Sequence, residues 1–444
     1  MQRPASLKHL FVGENLHRLH AMNPETQRTR QPDRARLLGG RLQQPVEGDE
    51  PANTLLLATA LLEDAVRERV SDIHLDPAGG DYAVRFRIDG VMVDTVTLPQ
   101  ERGLHLLRMF KTHADIEPSF TLRPQDGRAA IPVADGEVSV RVATGPGVGG
   151  EKLALRLLPH VFSRPSLDQL GLGIPDHDML SRALHDVRGM VLISGPTGAG
   201  KTTTLYAMMR ELARGGRSIV SIEDPVEYVL DGVTQLQVNA RKGLTYGEGV
   251  KGVLRLDPDV LVLGEMRDAA SARAALDAAD SGHVFLSTLH ARDAAGTLSV
   301  LRHFGLADHE IAASVDLLLA QRLVRRLCHA CRRLEPLTSE EAQWLELCEC
   351  PVPDKTWHAK GCAECGGSGY RGRIGVFEIH RLREQDADLI LAHADERTLR
   401  RQMRDRGALS LLQDDLAKVA DGMTSIEEFQ TIGGMGFFVR EPAT

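Results

Sequence analysis

The sequence predicts an α/β chain: a covered, mostly parallel sheet, preceded by a smaller α+β domain and carrying a cysteine-rich insertion. Three observations predict it. Apolar runs at 190–194, 219–222, 259–263 and 284–289 alternate with helix-compatible segments, the rhythm of a parallel sheet with helices on both faces. Upstream, DYAVRFRIDGVMVDTV (81–96) alternates apolar and polar residues around Asp89-Gly90, the pattern of an antiparallel hairpin. Two Cys-x-x-Cys pairs, at 328–331 and 362–365, break the rhythm late in the chain.

The elements follow in order. Residues 1–51 are rich in Arg, Gln, Pro and Gly and predict a flexible tail. Residues 52–158 predict the small α+β domain. Its amphipathic helix covers Thr54–Val70, with Leu55, Leu61, Leu62 and Val66 at helical spacing. After the hairpin, strands Gly136–Thr144 and Lys152–Leu158 flank the glycine-rich link Gly145–Gly150. Prolines 159 and 165 bound a linker over 159–168. Residues 169–444 hold the parallel-sheet domain, with a helix near Asp176–Asp186, a cysteine subdomain over 326–376 and C-terminal helices.

Composition excludes several classes. With 42% hydrophobic and 26% charged residues, the chain has ordinary globular usage and can bury a core. Aromatics at 4% leave few stacking platforms for single-stranded nucleic acid. A net charge of -8, from 53 basic and 61 acidic residues, argues against wholesale binding to a phosphate backbone. The longest apolar stretches fall short of the roughly 20 residues that cross a bilayer, and MQRPASLKHL has no signal core. A cytoplasmic protein is expected, with any membrane association through a partner. Six cysteines in a reducing compartment point to metal ligands or buried thiols.

The run Gly195-Pro196-Thr197-Gly198-Ala199-Gly200-Lys201-Thr202 matches the phosphate-loop pattern, with an apolar strand before it and a helix opening at Thr203. Glycines let backbone N–H groups curl around phosphate oxygens at a helix N-terminus. Lys201 neutralises the β/γ-phosphates and the Thr202 hydroxyl ligates Mg²⁺. The chain is therefore expected to bind ATP.

Such a loop needs acids near the metal and the attacking water. One strand ends in Glu223-Asp224-Pro-Val-Glu227, and another, Asp259-Val-Leu-Val-Leu-Gly-Glu265, ends as a Walker B segment does. Glu265 is the leading acid. A lone strand-end Glu more often caps a helix or pairs with Arg, and the preceding phosphate loop tips the balance. The run from Gly282 to His290 is a third buried strand, whose His290 is placed to sense the γ-phosphate. Cys328, Cys331, Cys362 and Cys365 supply four thiolates at knuckle spacing, which predicts a closed, structural Zn²⁺ site. Cys348 and Cys350 have no such pairing.

Together these residues resemble a known family. GPTGAGKTTTLY, SIEDPVEY, LRLDPDVLVLGEMRD, GHVFLSTLHARDA and AQRLVRRLC occur in order, as in the ATPases that power type II secretion and type IV pilus assembly. SDIHLDP, VRFRIDGV and RPQDGR resemble that family's second N-terminal domain, and GYRGRIGVFEI extends the likeness downstream. The resemblance implies a RecA-like motor domain and a homohexamer with ATP between the two domains. It implies secretion or pilus assembly components as partners, among them an inner-membrane platform protein, and a position peripheral to that membrane. Glu223, Asp224 and Glu227 then form an Asp box, Glu265 activates water, and His283 and His290 form a His box. Arg141, Arg156, Arg255 and Arg267 complete the site, since guanidinium meets phosphate oxygens through a planar fork. The cysteine knuckles resemble assembly and secretion members, whereas retraction ATPases usually lack them. Many members carry a further N-terminal domain that docks on a membrane partner, where this chain has its tail-like residues. GPGVGG before Glu151 is also richer in glycine than the family's usual form.

Two other classes compete. A DNA-uptake or conjugation-type ATPase would place the zinc ribbon on nucleic acid, against the acidic balance. A non-enzymatic nucleotide-sensing regulator would leave the catalytic motifs unused.

Overall fold

The computed structural model describes residues 50–134, 136–158, 164–186, 188–239, 242–347 and 350–433. The tail expected over 1–51 lies outside these residues except for its last two, as do 159–163 of the expected linker and Cys348.

The N-terminal domain opens with helix α1 (Glu50–Arg67), followed by β1 (Val70–Ala78), β2 (Asp81–Ile88) and β3 (Val91–Leu98). Helix α2 (Gln100–His113), β4 (Gln125–Val133), β5 (Gly136–Gly147) and β6 (Gly150–Leu157) complete it. The six strands form one antiparallel sheet in the order β3-β2-β1-β6-β5-β4. Apolar residues of α1, α2 and one sheet face, among them Leu61, Leu62, Phe86, Phe110, Val140 and Leu155, make a single core.

Three expectations change here. The first helix ends at Arg67, because Arg69 turns left-handed (φ 59°) and Val70 is drawn into β1 opposite Ile88. The glycine-rich link is not a loop: Gly147 pairs with Gly150, so it forms the arms of a tight hairpin. β1, α2 and β4 go beyond the elements that periodicity predicts. The Asp89-Gly90 turn is as expected, with both residues at positive φ and Ile88 paired to Val91.

The second domain is built on a seven-stranded sheet. In chain order come α3 (Ile174–Asp186), β7 (Gly189–Ser194), α4 (Lys201–Arg214), β8 (Ile219–Glu223), β9 (Val233–Gln237), α5 (Tyr246–Val253) and β10 (Val260–Leu263). Next are α6 (Ala269–Asp280), β11 (Val284–Leu289), α7 (Ala294–His303), α8 (Asp308–Ser314) and β12 (Val315–Leu327). A small ribbon, β13 (Arg333–Pro336) and β14 (Lys355–His358), precedes β15 (Tyr370–Arg381). Helices α9 (Ser339–Leu347), α10 (Glu384–Leu391), α11 (Glu396–Asp405), α12 (Leu411–Ala420) and α13 (Ile426–Gly433) surround this end. Strand order is β15-β12-β7-β11-β10-β8-β9, parallel except for the antiparallel β12–β15 pair.

β7, β10 and β11 are buried along their whole length. Alternate residues feed opposite cores: Met190 and Leu192 on one face, Val191 and Ile193 with Tyr206 and Met208 on the other. The two domains touch where the Gly372 N–H donates to Asp89 Oδ2 at 2.8 Å. Among the described residues, no helix is long and apolar enough to cross a membrane.

Candidate active site

The loop 195–200 links the end of β7 to the start of α4. Gly200 caps that helix at φ 86°, the left-handed region that favours glycine, and a Cβ there would lie 2.9 Å from the Gln321 side-chain nitrogen. Thr202 and Thr203 are exposed in the first helical turn, where backbone N–H groups lack intrahelical acceptors. Lys201 is buried, and its Nζ donates to the carbonyls of Gly195 (2.7 Å) and Pro196 (3.1 Å). Burial pushes its pKa down to about 8. Glu265 opposes that shift and Arg322 adds to it.

Parallel register brings the next residues to the same edge. Leu263 pairs with Ile222 and Ser287, and Leu289 pairs with Ser194, so residues just past these strand ends converge on the loop. Glu265 Oε1 lies 2.6 Å from His290 Nε2, and its Oε2 lies 2.5 Å from Arg267 Nε. His290 Nδ1 faces the Gly195 carbonyl at 3.2 Å and Lys201 Nζ at 3.5 Å. Thr288 Oγ1 donates to the Gly264 carbonyl at 2.8 Å, which fixes the bend that presents Glu265. Burial tends to raise the Glu265 pKa, but Arg267 and His290 outweigh it and hold the carboxyl below its ordinary range.

The acids after β8 divide. Asp224 is exposed, with its carboxylate 3.5 Å from Arg267 Nη1. Glu223 is buried and turned toward α4. It accepts from the Tyr206 hydroxyl, from Ser221 Oγ (2.6 Å) and from Gln235 Nε2 (3.1 Å). Tyr206 in turn accepts the Glu227 N–H at 3.0 Å. Glu223 is thus consumed in a network that holds the Glu227 segment on the phosphate-loop helix, rather than facing Lys201 or Glu265.

Glu227 looks toward the N-terminal domain. Burial raises its pKa, against the charges of Arg128, Arg156 and Arg141. Those arginines form one row across the outer sheet face, because Asp72 pairs with Arg156, Arg156 with Arg141, and Arg141 with Arg128. Directly paired residues on adjacent strands share a face. Asp72 takes Arg156 at 2.9 Å, while Arg141 lies 3.5 Å from Asp126.

The four cysteines also converge. Their sulfurs all lie within 4.8 Å of one another, with Sγ–Sγ separations of 3.8 Å (328–362), 3.9 Å (331–365) and 3.8 Å (362–365). A tetrahedron of thiolates about 2.3 Å from a zinc ion has edges of about 3.8 Å, so the donor set fits. Gly361 (φ 87°) passes so close to Gly367 that a Cβ would meet its carbonyl at 2.3 Å. N–H groups of Cys362 and Gly369 donate to Cys365 Sγ at 3.2 and 3.1 Å. Burial tends to raise the Cys365 thiol, but these bonds lower it and favour thiolate. Cys350 is outside the cluster.

Comparison with known proteins agrees with this geometry. The family described as Type II/IV secretion system protein matches residues 46–431. Type II secretion system protein E of Pseudomonas aeruginosa is 38% identical over 384 residues, 86% of this chain and 76% of its own. Type II secretion system ATPase E of Vibrio cholerae is 35% identical, over 87% of this chain and 76% of its own. The chain belongs to this family of secretion ATPases. A solved structure of the Legionella pneumophila ATPase DotB shares the fold, with a TM-score of 0.65 at 21% identity, covering 89% of this chain and 99% of its own.

As an ATP-hydrolysing member, this secretion ATPase brings Lys201, Glu265, Arg267 and His290 together, with Asp224 beside them. Within the single chain it does not bring His283 there. His283 precedes β11 and His290 follows it, so seven steps at about 3.3 Å per residue put the two at opposite ends of that strand. There His283 Nδ1 contacts the Ala278 carbonyl and Ser281 Oγ, both at 3.2 Å. Arg255 is exposed in the turn after α5, and no side-chain hydrogen bond or ion pair of it occurs among the described residues. Sequence reasoning missed Arg128, Tyr206 and Gln235. The RPQDGR motif contains Arg128, but only the β4–β5 register aligns it with Arg141.

Proposed function

We propose that this secretion ATPase is the motor subunit of a type II secretion or type IV pilus assembly machine. It would act in the cytoplasm as a homohexamer against an inner-membrane platform protein. The observation that carries the reading is the junction of Glu265, His290 and Lys201 at the mouth of the phosphate loop.

In this reading the Lys201 ammonium leaves the Gly195 and Pro196 carbonyls for the β/γ-phosphate oxygens, while Gly195–Gly200 and the first turn of α4 cradle them. Thr202 would hold Mg²⁺, which would supply positive charge against the phosphate oxygens. Glu265, kept ionised by Arg267 and His290, orients the attacking water and accepts its proton. Glu223 and Tyr206 position the Glu227 segment. The arginine row gives the N-terminal domain an electrostatic stake in the phosphate charge, so departure of the cleaved phosphate, with its negative charge, shifts that domain against the motor. Cys328, Cys331, Cys362 and Cys365 would hold Zn²⁺, which would staple the chain on either side of the β13–β14 ribbon.

Glu265→Gln tests the assignment: the purified protein binds ATP while turnover falls by about 100-fold or more. Wild-type turnover by Glu265→Gln would sink it. Lys201→Ala loses both binding and turnover.

A further inference from the structure

Strand β12 does more than link β15 to the rest of the sheet. Its last register pair with β7 is Ala320–Ser194, where β7 ends, yet β12 runs on to Leu327. Gln321 and Arg322 therefore lie level with the phosphate loop and form its floor. The Gln321 carbonyl is 2.6 Å from where a Cβ of Gly195 would be, and Gln321 Oε1 accepts from Thr204 of α4 at 2.7 Å. Arg322 is 5% exposed. Its Nη1 donates to the Gln321 carbonyl at 2.8 Å and lies 3.4 Å from that same Gly195 position. Its Nη2 donates to the Arg292 carbonyl at 2.6 Å, two residues past His290. The adjoining Asp293 is itself tied to Arg400 of α11 at 2.7 Å, so the segment that Arg322 holds is anchored from both sides.

We infer that Arg322 is a positioning residue for the phosphate loop, its guanidinium tying the stretch of β12 that underlies Gly195 to the segment after His290. The inference rests on 195–202 being the nucleotide cradle, which Lys201→Ala tests separately. A planar fork suits the role because Nη1 braces the Gln321 carbonyl on its own strand, under Gly195, while Nη2 holds the Arg292 carbonyl across from it, a fixed spacing that an ammonium on a single flexible stem does not supply. The clamp acts on the ground-state phosphate site, so its loss appears in affinity before it appears in chemistry.

The experiment compares full-length wild type, Arg322→Gln and Arg322→Lys. It measures MgADP affinity by calorimetry, ATP turnover, and thermal unfolding without nucleotide. Arg322→Gln is expected to weaken MgADP about tenfold and to raise KM for ATP in parallel, with kcat within about threefold, the scale of one charged hydrogen bond. Arg322→Lys keeps the charge but not the fork and falls between the two. If Arg322→Gln does not fold, Arg322→Lys carries the test alone, with an expected threefold or greater loss of MgADP affinity. A merely structural role lowers the melting temperature and leaves MgADP affinity and KM unchanged in either folded variant. That result overturns the inference, and so does a fall in kcat at constant KM.

Discussion

Glu265 and His290 are joined across the mouth of the phosphate loop, Oε1 to Nε2 at 2.6 Å, while the other imidazole nitrogen faces the Gly195 carbonyl at 3.2 Å. The imidazole therefore ties the Glu265 carboxylate, the proposed general base, to the loop that would hold the phosphates. Its removal frees Glu265 from one of the groups that keep its pKa low. For His290→Ala, turnover should fall about 10- to 100-fold, and the acidic limb of the pH–rate profile should move to higher pH. A limb that stays in place would show that His290 does not tune Glu265.

Lys201 carries its own pH signature. Burial holds its ammonium near pKa 8, so in the free protein it loses charge as pH rises through 8. Only the charged form attracts phosphate oxygens, and MgADP affinity should drop by up to about tenfold between pH 7 and pH 9. The sign is fixed by linkage: a pKa lowered by burial is raised again by the bound anion, so binding takes up protons. Calorimetry in buffers of different ionisation heat measures this uptake, and none near pH 8 would refute the assignment.

Arg128 should couple to Glu227 across the two domains. Arg128→Ala and Glu227→Gln should each lower turnover, and the double variant should lose less than the sum. A coupling above about 0.5 kcal/mol in the double-mutant cycle marks the contact. Additive losses would show that the row and Glu227 act independently.

The cysteine cluster gives a structural prediction. Protein purified without chelator should carry about one zinc per chain, and Cys365→Ser should lose the metal and lower the melting temperature. Elemental analysis decides it, since a zinc content near zero in wild-type protein contradicts the four-thiolate site.

Much of this site is local, and local features are legible in a chain. The phosphate loop, the Asp89-Gly90 hairpin and the two cysteine knuckles each need only a few adjacent residues, because their geometry is set by backbone dihedrals and short-range donors. The apolar runs ending in Glu265 and His290 are legible for a related reason: a parallel sheet delivers all its strand ends to one edge. His283 lies at the start of its strand and so at the opposite end from His290. Alternation along β8 cannot show that the Glu223 carboxylate is met by the Tyr206 hydroxyl.

By itself, the sequence determined the phosphate loop, the identity of the acids and thiols, and the alternation that builds the central sheet. Only tertiary structure decided that Arg128, Arg141 and Arg156 share a row facing Glu227, and that Glu223 supports rather than confronts the site. It alone placed Arg322 beneath Gly195. The reason is register. Cross-strand pairing and strand overhang join residues far apart along the chain, and those distances are fixed only when whole sheets pack.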